Sequence, residues 1–214
     1  FLRLYTGDKL LETKRHKIGA DNKYALSVNL QAGLIAYRTE FGVLRGATET
    51  VLEKANDLVC GDVFIIQGQS NAEAWTDQRV VHPYQSPWLR SFGTPTTNKD
   101  RARDAVWGNS LSFNGGPNHH HFQIGYWGVE LGKMLIETHK VPICIINGAQ
   151  GGTRVDQHQR NETDPTDVNT IYGRLLWRLQ QAKLTHGVRA VLWHQGENDQ
   201  GESGATGTFG WVNY

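Results

Sequence analysis

The sequence predicts an α/β protein: a parallel sheet with crossover helices from residue 61 onward, preceded by a β-rich segment over residues 1–60. Three observations predict it. Residues 63–66, 141–146 and 188–193 are near-continuous apolar runs, as expected of strands covered on both faces. Between them, residues 126–138 and 170–183 carry apolar positions at helical spacing. All seven Trp lie after residue 61, a compositional shift that places a domain boundary near Cys60-Gly61. The domains expected are 1–60, the C-terminal part of an accessory β domain, and 61–214, an α/β domain lacking its C-terminal end.

In chain order, Leu2-Arg3-Leu4-Tyr5 followed by Thr6-Gly7-Asp8 predicts a strand and a turn. Glu12 to Lys17 reads as a solvated edge or loop. Leu26, Val28 and Leu30 alternate with Ser27 and Asn29, and a second run, 34–39, follows across Gln31-Ala32-Gly33; together they predict paired strands. Residues 63–66 form the first buried strand. The helix over 126–138 is expected to bury Trp127, Leu131, Met134, Leu135 and Thr138. The next strand, 141–146, tolerates Pro142 near its start. In the helix over 170–183, Ile171, Leu175, Leu176 and Leu179 share a stripe. Residues 188–193 form the third buried strand. Almost fifty residues between Trp75 and Phe122 have no clear period, so they are functional or hide short elements.

Composition narrows the function. The 214 residues carry 22 Lys and Arg against 21 Asp and Glu, a formal charge of +1, which argues against a nucleic-acid protein. No apolar run reaches the roughly 20 residues of a membrane span. Two cysteines, Cys60 and Cys144, exclude a disulfide scaffold and a cysteine-rich zinc site; both read as free core thiols. The chain opens at Phe1 without a signal pattern and closes on an aromatic stretch, so both ends read as cut.

Ligands of parallel sheets sit at the carboxyl ends of the strands, and each buried strand here runs into a polar, glycine-rich turn. The first delivers Gln67-Gly68-Gln69-Ser70-Asn71 and then Ala72-Glu73-Ala74-Trp75, which can start a helix. A serine there either caps the helix or projects its hydroxyl into a cleft where backbone N–H groups favour an oxyanion. The second delivers Asn147-Gly148-Ala149-Gln150-Gly151-Gly152-Thr153, either a tight turn or a close backbone approach to a ligand. The third ends Trp193-His194-Gln195-Gly196-Glu197-Asn198-Asp199. Three such ends on one sheet edge point to a site.

These blocks carry a resemblance. Gly61 to Asn71 with its GQSN, the Gly151-Gly152-Thr153 turn and the W-H-Q-G-E-N-D run from Trp193 resemble the sialate O-acetylesterase group of SGNH-type hydrolases. The helix 171–183 also falls where that group has one, and the likeness covers residues 56 to 214. It implies a three-layer α/β/α, flavodoxin-like hydrolase domain and a serine esterase that removes acetyl groups from sugars through an acetyl-serine. Carried over, Ser70 matches the nucleophile, and its own N–H with that of Gly152 lines the oxyanion hole. Gln195 is given a side-chain donor role, and Glu197 orients either the catalytic histidine or the hole. Gln69, Asn71, Gly151, Arg154 and His194 are the residues expected to meet substrate, Arg154 with a surface salt bridge as its other reading.

The group places its general base in a downstream D-x-x-H block, which this sequence does not contain, so the catalytic His is expected outside the chain. A serine without a base is a weak nucleophile. The resemblance implies an acetylated carbohydrate as substrate, whether sialic acid, xylan or another glycan. It needs no metal or organic cofactor and places the protein in a secreted, periplasmic or cell-surface setting. The alternative is a catalytically silent carbohydrate-binding or assembly module; a lipid esterase is the weaker third. His119-His120-His121 reads as cleft wall or surface loop rather than a metal site, and Trp75, Trp88 and Trp107 as sugar platforms or loop anchors. Asp156 and His158 close to the Gly-Gly turn, and the sequon Asn161-Glu162-Thr163, complete the candidates.

Overall fold

The computed structural model describes residues 1–21, 23–74, 81–112 and 121–199. The chain divides into two compact units, Phe1–Gly61 and Asp62–Tyr214. In the first unit, strands β1 (Leu2–Thr6), β2 (Lys9–Lys14), β3 (Tyr37–Arg45) and β4 (Thr48–Leu58) form an antiparallel sheet in the order β2-β1-β3-β4. Gly7 and Gly46 take φ of 52° and 60° in the two hairpin turns, where a side chain would be strained. Phe1, Leu4 and Tyr37 are its buried hydrophobics. The charged run from Glu12 falls partly on the edge strand β2.

The hairpin expected over 26–30 and 34–39 does not form. Residues 23–36 have no ladder, and β3 starts only at Tyr37. Leu26, Val28 and Leu30 are nevertheless half-buried while Ser27 and Asn29 are exposed. Alternation reports which side of an extended chain is covered; it does not supply a backbone partner.

The second unit holds a five-stranded sheet of order β7-β6-β8-β5-β9. Its strands are β5 (Asp62–Gly68), β6 (Leu89–Phe92), β7 (Trp107–Asn109), β8 (Ile143–Asn147) and β9 (Val188–His194). β6, β8, β5 and β9 run parallel, and only β7 is antiparallel, to β6. Strand alternation splits the core in two. Ile66, Leu89, Ile143 and Ile145 pack with Val129 and Ile136 of α2 (Tyr126–His139). Val63, Ile65, Cys144 and Ile146 pack with Leu175 and Leu179 of α3 (Ile171–Gln181). Thr170 caps α3, its hydroxyl accepting the Gly173 N–H at 2.9 Å.

Among the described residues, the segment between residues 75 and 122 supplies β6, β7 and a 3₁₀ turn at Arg101–Arg103. These elements are too short for periodicity to register. Trp75, His119 and His120 lie outside the described residues.

Two elements differ from expectation in which face they cover. In α2, Met134 is 57 % exposed and Thr138 is also exposed, whereas Gly128 and Gly132 are buried. A Cβ on Gly132 would collide with Leu89, so the helix approaches the sheet along its glycines, which a hydrophobic stripe cannot register. The run 188–193 is not buried on both faces: β9 is at the sheet edge, with Val191 57 % and Trp193 45 % exposed. Among the described residues no helix is long and apolar enough to cross a membrane.

Candidate active site at three strand ends

The carboxyl ends of β5, β8 and β9 lie side by side, because β5 pairs in parallel with both of the others. Gly68 closes β5 with φ 139°, and a Cβ there would collide with the His194 carbonyl. Only glycine lets the two strand ends come so close. The Gln69 N–H donates to His194 O at 3.0 Å, and the chain then turns into the single-turn helix α1 (Ser70–Glu73). Ser70 opens that helix with an exposed side chain.

The second turn is tied to the first. Gly148 N–H donates to Ile66 O and Gln150 N–H to Gly68 O, both at 2.9 Å. Asn147, 3 % exposed at the end of β8, sends its amide to Ala72 O at 3.0 Å and Ile124 O at 3.1 Å. A Cβ on Gly151 would lie 3.5 Å from Ser70 Cβ, so this turn runs directly beside the serine. Gly152 is exposed with φ 74° and open space where a side chain would be.

The third turn is held by side chains. Gln69 is 2 % exposed, and its Oε1 accepts the N–H groups of Gly196 and Asn198, each at 3.2 Å. Expected to meet substrate, Gln69 instead clamps two turns together from inside. Gln195 donates to Thr153 O at 3.1 Å and also to the Asp199 carboxylate, while Asn198 donates to Thr153 O at 3.2 Å. Asp199, 1 % exposed, accepts the Val155 N–H at 3.2 Å. Both N–H groups of the Gln195 amide are thus spent on the second turn and on Asp199, not on the space above Ser70. Asn71 and His194, both exposed, converge on Glu197: the Asn71 amide donates to its carboxylate, and His194 Nε2 sits 3.1 Å away. Burial works to raise the Glu197 pKa, but the Asn71 amide and His194 outweigh it and leave the carboxyl below its usual range. Arg154 is half-buried and paired with Asp156 at 2.8 Å, which is its salt-bridge reading.

Sequence reasoning missed Glu73, Asn147 and Arg178. Glu73 is partly buried against Gly151, and desolvation raises its pKa despite the opposing Gly151 N–H. Arg178 is 2 % exposed inside α3 and stitches two strand ends, donating to Phe92 O at 3.0 and 2.7 Å and Asn147 O at 2.6 Å. Its signal was present: it stands between Leu175 and Leu179 on the buried arc of the helix. A cavity of about 290 Å³ opens behind the second turn, lined by Glu73, Thr94, Gln150, Gly151 and Arg174 among others. Among the described residues no group of three or more His, Cys, Asp or Glu is placed to hold a metal.

No curated protein matches the sequence. Among solved structures, a carbohydrate acetylesterase from Xanthomonas citri is similar at 20% identity and a TM-score of 0.48, covering 92% of this chain and 45% of its own. A protein from Arabidopsis thaliana is similar at 19% identity and a TM-score of 0.44, covering 64% of this chain and 58% of its own. The chain therefore spans about half the length of these structures. The model of the family described as carbohydrate esterase, sialic acid-specific acetylesterase, matches residues 60–209, which include all three strand-end turns. On that match the chain belongs to the sialic acid-specific acetylesterase family of carbohydrate esterases.

Proposed function

We propose that the protein is a serine esterase that removes O-acetyl groups from carbohydrates, with Ser70 as nucleophile in an SGNH-type, three-layer α/β/α domain. One observation carries the reading. The exposed Ser70 and the Gly151-Gly152 turn are brought within 3.5 Å, Cβ to built Cβ, by strand ends knitted together through backbone bonds. A hydroxyl beside a backbone turn that can offer N–H groups is what acyl transfer requires.

In this mechanism the base takes the Ser70 hydroxyl proton as Oγ attacks the acetyl carbonyl carbon, and the carbonyl π electrons move onto oxygen. The N–H groups of Ser70 and Gly152 receive that oxyanion. Collapse expels the sugar alkoxide, which takes a proton from the base, and leaves acetyl-serine. The base then takes a proton from water as it adds to the acetyl carbon, and collapse breaks the bond to Ser70 Oγ, which takes that proton back as acetate departs. Gln195 serves by holding the second turn through Thr153, and Glu197 by joining Asn71 to His194. The base is assigned by resemblance to the histidine of a D-x-x-H block that is not among these residues. The exposed polar side chains at the strand ends, Asn71, His194 and Glu197 beside Ser70, suit a hydroxylated ligand better than a lipid chain, and a secreted, periplasmic or cell-surface location follows for an enzyme of glycans.

The test is hydrolysis of a chromogenic acetate ester. Ser70→Ala is expected to lower kcat by about a thousandfold or more. Equal activity in both proteins would overturn the mechanism. Retained binding of acetylated glycan without hydrolysis by the unaltered protein would favour the silent module instead.

A further inference from the structure

Glu73 stands one helical turn after Ser70, and its backbone is pinned. The Ala72 carbonyl before it accepts the buried Asn147 amide at 3.0 Å. After it, Ala74 turns into the left-handed region with φ 56°, and its carbonyl accepts the Tyr126 N–H at 3.1 Å. A Cβ on Gly125 would collide with the Glu73 carbonyl, so the start of α2 packs directly on this point. The side chain is therefore delivered to a set place, and that place is the second turn. A Cβ built on Gly151 would lie 2.7 Å from Glu73 Oε2 and 3.6 Å from its Cδ. The carboxyl fills the space a side chain at 151 would take.

Gly152, by contrast, has no atom within 4 Å of its built Cβ, and its φ of 74° is one that glycine adopts without cost. No packing on that side of Gly152 holds its peptide, so its direction is set through its chain neighbours: Thr153, held by Gln195 and Asn198, on one side, and Gly151, whose N–H meets the Glu73 carboxyl, on the other. Among the described residues no Lys, Arg or His is paired with Glu73. A carboxylate beside a site that must receive negative charge works against that charge unless it has another task there.

We propose that Glu73 is a positioning residue for the oxyanion hole: its carboxyl seats Gly151 and so aims the Gly152 N–H at the carbonyl attacked by Ser70. The inference rests on the esterase reading of Ser70 and Gly152. Its chemistry asks for an acceptor oxygen of the right reach, not for a charge. Burial, which raises the pKa of this carboxyl, agrees with that.

The experiment is steady-state hydrolysis of a chromogenic acetate ester by the protein and six variants. Glu73→Gln keeps an acceptor oxygen at the same reach and is expected to hold kcat within about threefold. Glu73→Ala and Glu73→Asp, which lose or shorten the reach, are expected to lower kcat about tenfold or more with KM within about twofold. Such a split marks a contact that matters in the transition state and not in binding. Gly151→Ala alone forces its methyl against the carboxyl and is expected to lower kcat. In the Glu73→Ala background the space is vacated, so the added loss shrinks and the double-mutant cycle is strongly non-additive. Unchanged kcat in Glu73→Ala, a change confined to KM, failure of Gln to substitute, or an additive cycle would each overturn the proposal. Full activity of Ser70→Ala would sink the esterase reading first and this inference with it. An inactive Ser70→Ala beside a fully active Glu73→Ala would overturn this inference alone.

Discussion

His158 is a histidine the fold keeps neutral. Its Nε2 lies 2.8 Å from Thr153 Oγ1, and that hydroxyl already donates to Gln150 O at 2.6 Å, so the ring nitrogen must be the donor. The Trp193 ring meets it edge-on at 5.2 Å. Burial lowers its pKa from 6.5 to about 4, against the pull of Asp199 and Asp156. The unfolded chain therefore takes up a proton below about 6.5 while the folded one refuses it until about 4. Stability from this group is complete above that window and is lost as pH falls through it, by at most about 1.4 kcal/mol per pH unit. Urea unfolding between pH 7 and 4 is expected to show this decline, with a shallower one in His158→Gln. Equal slopes would mean another group carries the pH dependence. His158 was legible in the sequence as close to the Gly-Gly turn. Its protonation was not, because that depends on Thr153, Trp193 and the burial they create.

At the scale of elements, the helix α2 shows how a correct prediction of type can carry an incorrect prediction of face. Its apolar residues spread around the cylinder, and the side that approaches the sheet is chosen by Gly128 and Gly132 against Ile66 and Leu89. Gly132→Ala tests this. Helix propensity alone favours alanine by about 1 kcal/mol. The added methyl collides with Leu89, a 1 % exposed residue with little room to move. The clash is expected to win, destabilising the fold by about 1–3 kcal/mol in denaturant unfolding. A stabilised variant would show that the helix can withdraw from β6. The strands were more legible than the helix faces, since β5 and β8 are near-continuous apolar runs at the sheet centre. β9 has the same composition but an edge position, and composition cannot separate the two. The short strands β6 and β7 carry too few residues for any period, and only pairing with β8 makes them visible.

At the scale of the molecule, two units with separate cores predict separable unfolding. The first buries only Phe1, Leu4 and Tyr37 among its hydrophobics, whereas the second has clusters on two faces of its sheet. Chemical denaturation is expected to give two transitions, the weaker belonging to the first unit. Gly132→Ala is expected to move only the stronger one. A single transition shifted as a whole would show that the units unfold as one.

The sequence by itself determined the α/β class, the parallel central strands and the three strand-end turns that carry the family likeness. These rest on local properties: continuous apolar runs, glycine at turns, and polar residues directly after strands. Tertiary structure decided which of the polar residues face outward. Ser70, Asn71, Gly152, His194 and Glu197 are exposed, while Gln69 and Gln195 spend their amides on holding the turns together. It also brought in Glu73 and Arg178, whose partners lie 78 and 86 residues away at Gly151 and Phe92. A glutamine looks the same in sequence whether it meets a ligand or a neighbouring backbone. Its role is set by which turn the parallel strands place beside it, and that is a property of the assembled sheet.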